Sequence, residues 1–306
     1  MKISVATPTY NRANTLDRVF NSLMSQTFKD FEWIIVDDGS NDDTKELIDS
    51  YKKQASFDIK YFYQENNGMH TALNKALEFA NGEFFIICHS DDSFLPESFE
   101  ILLKYWNLID DTKKNEFRGI TCRRYDPDTM LPSGKAFSID NDYIDMLGLD
   151  AFFKAKFNFE MWGMNRTDVM KEYTFPDIRG GANKGLTFFP ETIIWNKMGR
   201  KYKVRFINYP LTAYYRDQAN SISHRSKSRS RANIYLWEHY LNDVFDYFGS
   251  DPMLFVKASV GLSMDGFLLG LTNLEILNKP NRLITKFLVL MFMPAGYMLS
   301  KKKSQH

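Results

Sequence analysis

The first hundred residues alternate between two hydrophobic periods. Short apolar runs rich in β-branched and aromatic residues predict four β-strands, at Ile3–Thr7, Phe31–Asp37, Ile59–Gln64 and Glu83–His89. Between them, apolar residues at three- and four-residue spacing predict helices within 14–26, 42–54 and 68–81. Strands that alternate with helices of this length predict βαβ units and a parallel sheet, so the fold class is α/β.

Polar residues and a glycine mark the ends of these predicted helices. Asn14 and Asp42 are the expected N-caps, because short polar side chains accept hydrogen bonds from the first backbone amides. Gly82 is the expected C-terminal stop of the third helix.

Four polar segments follow the predicted strands. In sheets of this kind, ligands bind beyond the carboxyl ends of the strands. We therefore expect one crevice to be lined by the segments "PTYNR", "DDGSNDDT", "ENNGMH" and "HSDDS".

The second half of the chain is less regular. Residues 107–160 show little periodicity beyond a strand and turn at 118–129. A short helix is predicted at Ile193–Met198 and a strand at Lys203–Ile207, and the chain becomes helical from Arg231 onward.

The segment 281–306 combines an apolar stretch with a basic end. The run Phe287–Met293 stops at Pro294 and is much shorter than the roughly 20 residues that span a bilayer, so we do not expect a transmembrane helix. Together with Lys301, Lys302 and Lys303 it is typical of a segment that lies on an anionic lipid surface. The alternative is a helix packed on the protein with a frayed, charged end.

Composition narrows the classes of function. The 306 residues carry a net charge of +1, which argues against a nucleic-acid binder. The only two cysteines exclude a disulfide framework and a cysteine-rich zinc site, and favour a reducing compartment. The start "MKISVATPTYNR" lacks the pattern of a signal peptide, so we expect a cytoplasmic protein.

The end of the fourth predicted strand offers His89, Asp91 and Asp92 to the crevice. Carboxylates without cysteines suit a hard cation, Mg²⁺ or Mn²⁺, that completes its shell with phosphate oxygens. Asp37 and Asp38, one strand end away, can accept hydrogen bonds from a base or ribose. No Gly-rich phosphate loop is present, which argues against a dehydrogenase or P-loop NTPase and for a metal-dependent transferase acting on a nucleotide-activated group.

Together these motifs carry a resemblance to a known family. "PTYNR", "VDDGSNDDT", "NNGMHTALNKALEFANGEF" and "HSDD" resemble the nucleotide-binding half of the inverting family 2 glycosyltransferases, bacterial enzymes of surface-polysaccharide synthesis with a GT-A fold. The resemblance is strong over about one hundred residues, and it resumes weakly from "FFPETIIWNKM" to "YYRDQANSIS".

The resemblance implies a fold and a domain plan. We expect a Rossmann-like mixed sheet flanked by helices over 1–230, with a nucleotide-sugar-binding half at 1–106 and an acceptor-binding half at 107–230. A helical C-terminal extension is expected over 231–306.

The resemblance also implies roles for residues. Asp37 would hold the base, Asp91 would contact the metal directly, and the "YYRDQANSIS" segment would close over the donor, with Arg216 as a second cation for the leaving diphosphate. The other donor-binding residues expected from these motifs are Pro8, Tyr10, Arg12, Asp38, Asn67, Gly68, His70, Asn74, His89 and Ser90. Asp92 and His89 are additional expected metal ligands, and Trp162 and Arg166 are expected to contact the acceptor.

Two positions depart from the family pattern. His89 stands where an aspartate is expected, so we expect weaker metal binding or a preference for Mn²⁺ over Mg²⁺. Thr192 replaces the second acid of a glutamate–aspartate pair and leaves Glu191 as the general base. Phe188, Phe189 and Pro190 beside Glu191 are expected to raise its pKa toward the range that a base needs.

The expected activity is inverting transfer of a sugar from a nucleoside-diphosphate donor, UDP by family habit, to a saccharide hydroxyl. If the chain contacts the membrane surface, the acceptor is lipid-linked and lies at the cytoplasmic leaflet. A nucleotidyltransferase shares the sheet and the metal, but it usually carries a Gly-rich basic loop where this chain has "PTYNRANT". A catalytically silent relative that binds a nucleotide sugar or a glycan is the other alternative, because His89 and Thr192 change two functional positions.

Each candidate also has a plain structural interpretation. Asp37 and Asp38 could form a turn before Gly39, and Asp91 and Asp92 could cap the following helix. Glu191 could be a solvated acid at a helix start. Trp162 could belong to the core.

Overall fold

The computed structural model describes residues 1–138, 141–176, 188–215 and 227–304. The described strands are β1 Ile3–Thr9, β2 Phe31–Asp37, β3 Asp58–Tyr63, β4 Phe84–Ile87, β5 Ser93–Phe94, β6 Phe117–Tyr125, β7 Tyr143–Leu147, β8 Met161–Arg166 and β9 Lys203–Ala213. They form one nine-stranded sheet in the spatial order β3-β2-β1-β4-β8-β6-β9-β5, with β7 paired to β9.

Helices connect and flank the strands. The described α-helices are α1 Leu16–Met24, α2 Thr44–Gln54, α3 Met69–Glu78, α4 Ser98–Asn107, α5 Gly148–Phe153, α6 Thr167–Glu172, α7 Thr192–Lys201, α8 Lys227–Asn242, α9 Pro252–Leu268, α10 Asn273–Leu277 and α11 Leu283–Ser304. In the described part of the chain, 3₁₀-helices lie at Asp111–Glu116 and Phe245–Ser250.

The N-terminal half of the sheet is parallel, as the sequence predicted. β1 pairs with β2 and β4, and β2 pairs with β3, all in parallel register. The rest is mixed, because β8 runs antiparallel to both β4 and β6. The fold is therefore the expected α/β sheet flanked by helices, with a helical C-terminal region.

Burial on both faces explains why the first strands read as continuous apolar runs. All seven residues of β1 and all seven of β2 are buried. Between these two strands, the buried Trp33 indole Nε1 donates to the Thr7 hydroxyl at 2.8 Å. Since helices cover both faces, the alternating pattern of a half-exposed strand does not arise.

All three predicted helix ends are wrong in detail. The N-cap of α1 is Thr15 rather than Asn14, and that of α2 is Asp43 rather than Asp42. α3 ends at Glu78, before Gly82. Gly82 serves a different purpose: a Cβ there would lie 2.5 Å from the backbone nitrogen of Ser4, so only glycine lets the start of β4 approach β1.

The chain divides into two compact units. One comprises Met1–Asp177 and Trp195–Ala219, and the other comprises Ile178–Ile194 and Asn220–His306. The first unit contains the whole sheet. The sequence-based boundary after residue 230 stays a prediction.

The second unit is helical. α9 packs against α8 on one side and against α11 on another. The apolar run was expected to stop at Pro294, but α11 continues through this residue as one helix of 22 residues. Within the described ranges, it is the one helix long and apolar enough to cross a membrane by length and composition.

Candidate functional site

The carboxyl ends of four neighbouring strands meet at one edge of the sheet. Parallel register places Thr9 of β1 beside Asp37 of β2, and Asp37 beside Tyr63 of β3. β4 ends on the other side of β1, so the strand order reverses between these two strands. The four polar segments predicted to line a crevice therefore lie at the same edge, at the position where open α/β sheets bind ligands.

Asp37 is buried at the end of β2. Its Oδ2 accepts a hydrogen bond from the Tyr61 hydroxyl at 2.8 Å, and its Oδ1 accepts one from the Ser40 amide at 2.8 Å. These two contacts fix the carboxylate, and each oxygen keeps a further lone pair for a ligand. Burial and the hydrogen bond to Asp37 raise the pKa of the Tyr61 hydroxyl, so Tyr61 stays a neutral donor.

Asp38 binds the neighbouring loop rather than open space. Its Oδ1 accepts from the Gln64 side chain at 2.8 Å and from the Asn67 amide at 2.9 Å, and its Oδ2 accepts from the Gly68 amide at 2.8 Å. Gly68 has a φ of +91°, which favours glycine at this position directly before α3. Asp38 therefore positions the residues that begin α3, and its place in the donor-binding set stays a prediction.

The segment after β1 is tied to the segment after β2. The Asn11 amide donates to the Ser40 hydroxyl at 2.8 Å, and the Asn41 amide donates to the Asn11 side chain at 2.8 Å. Among the predicted donor residues here, Pro8 is buried in β1, Arg12 is half-buried and Tyr10 is 45% exposed. Tyr10 is thus the most exposed of the three, and their donor-binding roles stay predictions.

The residues predicted on the third helix take two different positions. His70 is buried in the first turn of α3. The Asn74 side chain donates to the Phe175 carbonyl at 2.8 Å and accepts from the Phe175 amide at 2.9 Å. Both groups of this amide hold a distant segment in place, so we assign Asn74 a positioning role.

The loop after β4 is a tight turn. The Asp92 amide donates to the His89 carbonyl at 3.1 Å. His89 and Asp91 are half-buried, whereas Ser90 and Asp92 are buried. The turn therefore directs His89 and Asp91 toward solvent and Asp92 into the protein.

Asp92, a predicted metal ligand, is paired with an arginine in the structure. Its Oδ1 forms an ion pair with the guanidinium of Arg124, and both side chains are 5% exposed. Burial raises the pKa of the Asp92 carboxyl, and the positive charge of Arg124 opposes that shift. Arg124 also donates to the Ala213 carbonyl at 2.7 Å. One carboxylate oxygen is thus held by this cation, whereas Oδ2 is buried with no hydrogen-bond partner in the described part of the chain, and a metal role for Asp92 stays a prediction.

The two predicted acceptor residues lie away from the crevice surface. Trp162 is buried, and its indole Nε1 donates to the Ile87 carbonyl at 2.7 Å, so it belongs to the core beneath the β4 loop. Arg166 pairs in register with Phe84, at the amino end of β4 and the opposite edge of the sheet. Its guanidinium binds Asp168, with Nη2 to Oδ2 at 2.5 Å. Sequence spacing alone did not reveal that β8 runs antiparallel and carries Arg166 to that edge.

The predicted catalytic base lies in the second unit. Glu191 directly precedes α7 and is half-buried, and its Oε1 is buried with no hydrogen-bond partner within the described ranges. Phe189, two residues earlier, packs its ring 5.9 Å from that of Tyr235. Arg216 and the rest of the predicted closing segment to residue 223 lie outside the described residues.

Three contacting residues at the crevice were not named as site residues by the sequence argument, although Ser93 and Tyr215 lie in the quoted segments "HSDDS" and "YYRDQANSIS". The Arg18 guanidinium lies 4.1 Å from the Tyr215 ring centre, and the Tyr215 hydroxyl lies 3.2 Å from the Ser93 hydroxyl. Tyr215 lies two residues after the end of β9, while Ser93 begins β5 directly after the His89–Asp92 turn. Only the pairing of β5 with β9 brings Ser93 and Tyr215 together, and the two-residue strand β5 leaves no periodic signal.

The comparison with known families decides the identity of this region. Residues 4–115 match the family described as Glycosyl transferase family 2. This region is a family 2 glycosyltransferase domain. The match contains all four strand-end segments, including Asp37 and the His89–Asp92 turn.

Relatives of the glycosyltransferase domain share sequence mainly in this region. An uncharacterized glycosyltransferase of Rickettsia conorii is 42% identical over 104 residues, which are 34% of this chain and 17% of that protein. The GalNAc(5)-diNAcBac-PP-undecaprenol beta-1,3-glucosyltransferase of Campylobacter jejuni is 29% identical over 176 residues, 57% of this chain and 54% of that protein. The chain thus spans less than a fifth of the rickettsial relative and about half of the other.

Two solved structures align with the chain over almost its whole length, beyond the glycosyltransferase domain. Staphylococcus aureus TarS 1–349 in complex with UDP-GlcNAc aligns with a TM-score of 0.63 at 15% identity, over 100% of this chain and 92% of that one. The mannosyltransferase PcManGT of Pyrobaculum calidifontis, in complex with GDP-Man and Mn²⁺, aligns with a TM-score of 0.53 at 16% identity, over 99% and 86%. At this identity the likeness shows the GT-A fold.

The side chains of the glycosyltransferase domain fit a metal ion that is shared with a bound substrate. Within the described ranges, no group of three His, Cys, Asp or Glu residues could enclose an ion. Asp91 and His89 remain as an outward-facing pair. Mg²⁺ and Mn²⁺ are often held by one or two protein ligands plus substrate phosphates, so this pair fits an ion that arrives with a nucleoside diphosphate.

Proposed function

We propose that the chain is an inverting, metal-dependent glycosyltransferase that moves a sugar from a UDP-sugar to a hydroxyl of a saccharide acceptor. One observation carries the proposal: a family 2 domain in which Asp37 and Asp91 lie at the carboxyl edge of the parallel strands. Pathways of capsule, O-antigen or other surface-polysaccharide synthesis use such a reaction.

In this proposal, the β2 and β3 strand ends hold the nucleoside. Asp37 accepts a hydrogen bond from the base, and the contacts of Asp37 with Tyr61 and Ser40 support this role because they orient the carboxylate beforehand. The network around Asp38 then fixes the backbone at Asn67 and Gly68, where α3 begins and its amino end favours negative charge. The TarS complex with UDP-GlcNAc supports the choice of donor class.

Asp91, with His89 beside it, would hold Mn²⁺ or Mg²⁺, which neutralises charge on the leaving diphosphate when bound. The neutral imidazole of His89 can ligate Mn²⁺ or donate to a ribose hydroxyl. The Mn²⁺ in the PcManGT complex supports divalent-metal use in this fold.

Glu191 is the proposed general base. It takes the proton from the acceptor hydroxyl as that oxygen attacks the anomeric carbon, and the bond from the anomeric carbon to the UDP oxygen breaks. UDP leaves with the bonding electron pair, and the sugar configuration inverts. The Oε1 atom of Glu191, which is buried without a hydrogen-bond partner in the described part of the chain, suits a group that must accept a proton.

The proposed acceptor is lipid-linked and presented at the cytoplasmic leaflet, where the chain makes peripheral contact with the membrane. The undecaprenol-linked saccharide in the name of the C. jejuni relative supports this class of acceptor. The long apolar helix α11 with its three terminal lysines supports contact with the lipid surface.

Turnover of UDP-sugars tests the proposal. Purified protein with Mn²⁺ is incubated with UDP-GlcNAc, UDP-glucose or UDP-galactose, with and without short-chain polyprenyl-diphosphate saccharides, and UDP release is measured. We expect metal-dependent release with at least one donor, stimulated by acceptor and giving a β-linked product. Tight binding of UDP-sugars without turnover would instead identify a catalytically silent relative.

A further inference from the structure

The outer side of α11 is apolar where a helix of a water-soluble protein is polar. Leu283 is 87% exposed, Phe287 60% and Met298 66%, and the other exposed apolar side chains of this helix are Ile284, Leu290, Met291, Tyr297 and Leu299. Between residues 283 and 299 the only charged side chain is Lys286, which is half-buried. A surface helix normally carries its charges on the side that faces water, so this side is built for another contact.

The opposite side of α11 is fixed against α9. Thr285, Val289, Met293, Gly296 and Ser300 are buried, at the four- and three-residue spacing of one helical face. A Cβ at Gly296 would lie 2.5 Å from the Ser263 side chain and 2.8 Å from the Val260 carbonyl oxygen of α9. Because the backbones approach this closely, α11 cannot rotate to bury its outer side without leaving α9.

Three lysines follow the apolar surface of α11 at its C-terminal end. Lys301, Lys302 and Lys303 are exposed in the last turn. The apolar stretch before them is about 25 Å long, from seventeen residues that rise about 1.5 Å each. An apolar face with cationic residues beside it complements a bilayer that contains anionic lipid.

We infer that α11 lies in the plane of an anionic membrane, with its outer face from Leu283 to Leu299 in the lipid and Lys301–Lys303 among the headgroups. The inference rests on the proposed membrane contact and specifies its surface and its orientation. The same helix is long enough to cross a bilayer, so orientation is the point that the structure decides.

Buried hydrogen bonds between α8 and α9 argue against an orientation in which α11 spans the bilayer. Asp265 of α9 is fully buried and accepts hydrogen bonds from the Trp237 indole at 2.9 Å and the Asn233 side chain at 3.2 Å, both on α8. If α11 crossed the bilayer while packed on α9, it would carry this carboxylate and its partners toward the hydrocarbon. In-plane binding uses only the exposed face and leaves this packing intact.

Binding to vesicles tests the surface. The full chain is sedimented with vesicles of 30% phosphatidylglycerol in phosphatidylcholine, and with pure phosphatidylcholine. We expect Phe287→Glu to lower partitioning at least tenfold, and replacement of Lys301, Lys302 and Lys303 by glutamine to lower it about a hundredfold on the anionic vesicles. Leu274→Glu is the control, because Leu274 is an exposed apolar residue on α10, 69% exposed against 60% for Phe287, and we expect it to bind like wild type.

Depth measurements test the orientation. Cys88 and Cys122 are buried, so a nitroxide label reacts with a cysteine introduced at Phe287, Leu290, Met291 or Met298. In-plane binding predicts the same shallow depth at all four positions. A depth that is greatest near the middle of the helix and falls toward both ends would show a spanning helix and overturn the inference.

Two further results would also overturn it. Equal binding of wild type and Phe287→Glu to anionic vesicles would remove this face from the contact. A dimer in solution that Phe287→Glu dissociates would show that a second copy covers the face. Binding of UDP is measured without vesicles, so a chain that binds UDP but no lipid rejects this inference and leaves the proposed transferase intact.

Discussion

The guanidinium of Arg124 forms a buried ion pair with the carboxylate of Asp92, directly behind the turn that presents His89 and Asp91. Arg124 also binds the Ala213 carbonyl at the end of β9 and lies 4.9 Å from the Tyr214 ring centre. One cation thus joins the turn after β4 to β6 and to the strand end that leads toward the segment predicted to close over the donor. Its position explains how the turn keeps its shape while only His89 and Asp91 face outward.

Breaking this ion pair is expected to destabilise the protein strongly. Arg124→Met leaves the Asp92 carboxylate buried without its cation, which typically lowers the free energy of unfolding by about 3–5 kcal/mol. Urea unfolding measures the loss, and Arg282→Met, which removes an exposed arginine, serves as the control. The double variant Arg124→Met with Asp92→Leu should recover part of the stability. A loss below about 1 kcal/mol in Arg124→Met would contradict the role given to the pair.

Replacing His89 with aspartate is expected to strengthen metal binding. A second carboxylate beside Asp91 adds negative charge at the proposed ion, so His89→Asp should lower the Mg²⁺ concentration needed for UDP binding roughly tenfold. A Mg²⁺ titration at fixed UDP gives this value. Asn107→Asp adds the same charge on an exposed position at the end of α4 and should change nothing. An unchanged Mg²⁺ requirement in His89→Asp would remove position 89 from the metal site.

The proposed base is tested by separating binding from turnover. Glu191→Gln keeps the size of the side chain but cannot take a proton, so the turnover number should fall by about 10²–10⁴ while UDP affinity stays within twofold. Glu97→Gln changes an exposed glutamate before α4 and should leave both quantities unchanged. Full turnover in Glu191→Gln would show that another group accepts the proton.

Glu32 gives the fold a defined dependence on pH. Burial alone would raise the pKa of this carboxyl, but hydrogen bonds from Lys60, Ser4 and the Asn81 amide lower it below the ordinary glutamate value. The unfolded chain therefore binds the proton more readily than the folded chain. The stabilisation is present above pH ~4.3 and is lost as the pH falls through the lower, folded-state pKa.

Unfolding at several pH values checks this dependence. Glu32→Gln should be less stable than wild type at pH 7, and the difference should shrink as the pH falls from about 5 toward 3. Glu78→Gln removes an exposed carboxylate on α3 and should show no such trend. A difference between Glu32→Gln and wild type that is constant with pH would contradict the assignment.

The sequence predicted the parallel half of the fold well, for a physical reason. β2 was placed at Phe31–Asp37, as observed, because a strand buried on both faces is a continuous apolar run with polar residues at its end. The ends of these apolar runs also indicated the edge of the sheet at which Asp37 and Asp91 lie. Local patterns carried this information because each strand and its following loop are contiguous in the chain.

What the sequence did not predict depends on contacts between distant segments. Arg124 meets Asp92 across 32 residues, and only the pairing of β6 with β8 and β9 places it there. Arg166 was misplaced because the direction of β8 leaves no local signal. Pro294 was expected to end the apolar run, but it lies on the exposed side of α11, and the helix continues past it.

Calorimetry of UDP binding tests the central claim most directly. The wild-type chain, Asp91→Ala and the control Asp58→Ala are titrated with UDP in the presence and absence of Mn²⁺. The control removes an exposed aspartate at the amino end of β3, the opposite edge of the sheet. We predict that wild type and Asp58→Ala bind UDP only with Mn²⁺, and that Asp91→Ala binds it at least tenfold more weakly. Failure of wild type to bind either UDP or GDP with Mn²⁺, or equal binding by Asp91→Ala, would contradict a donor site at the end of β4.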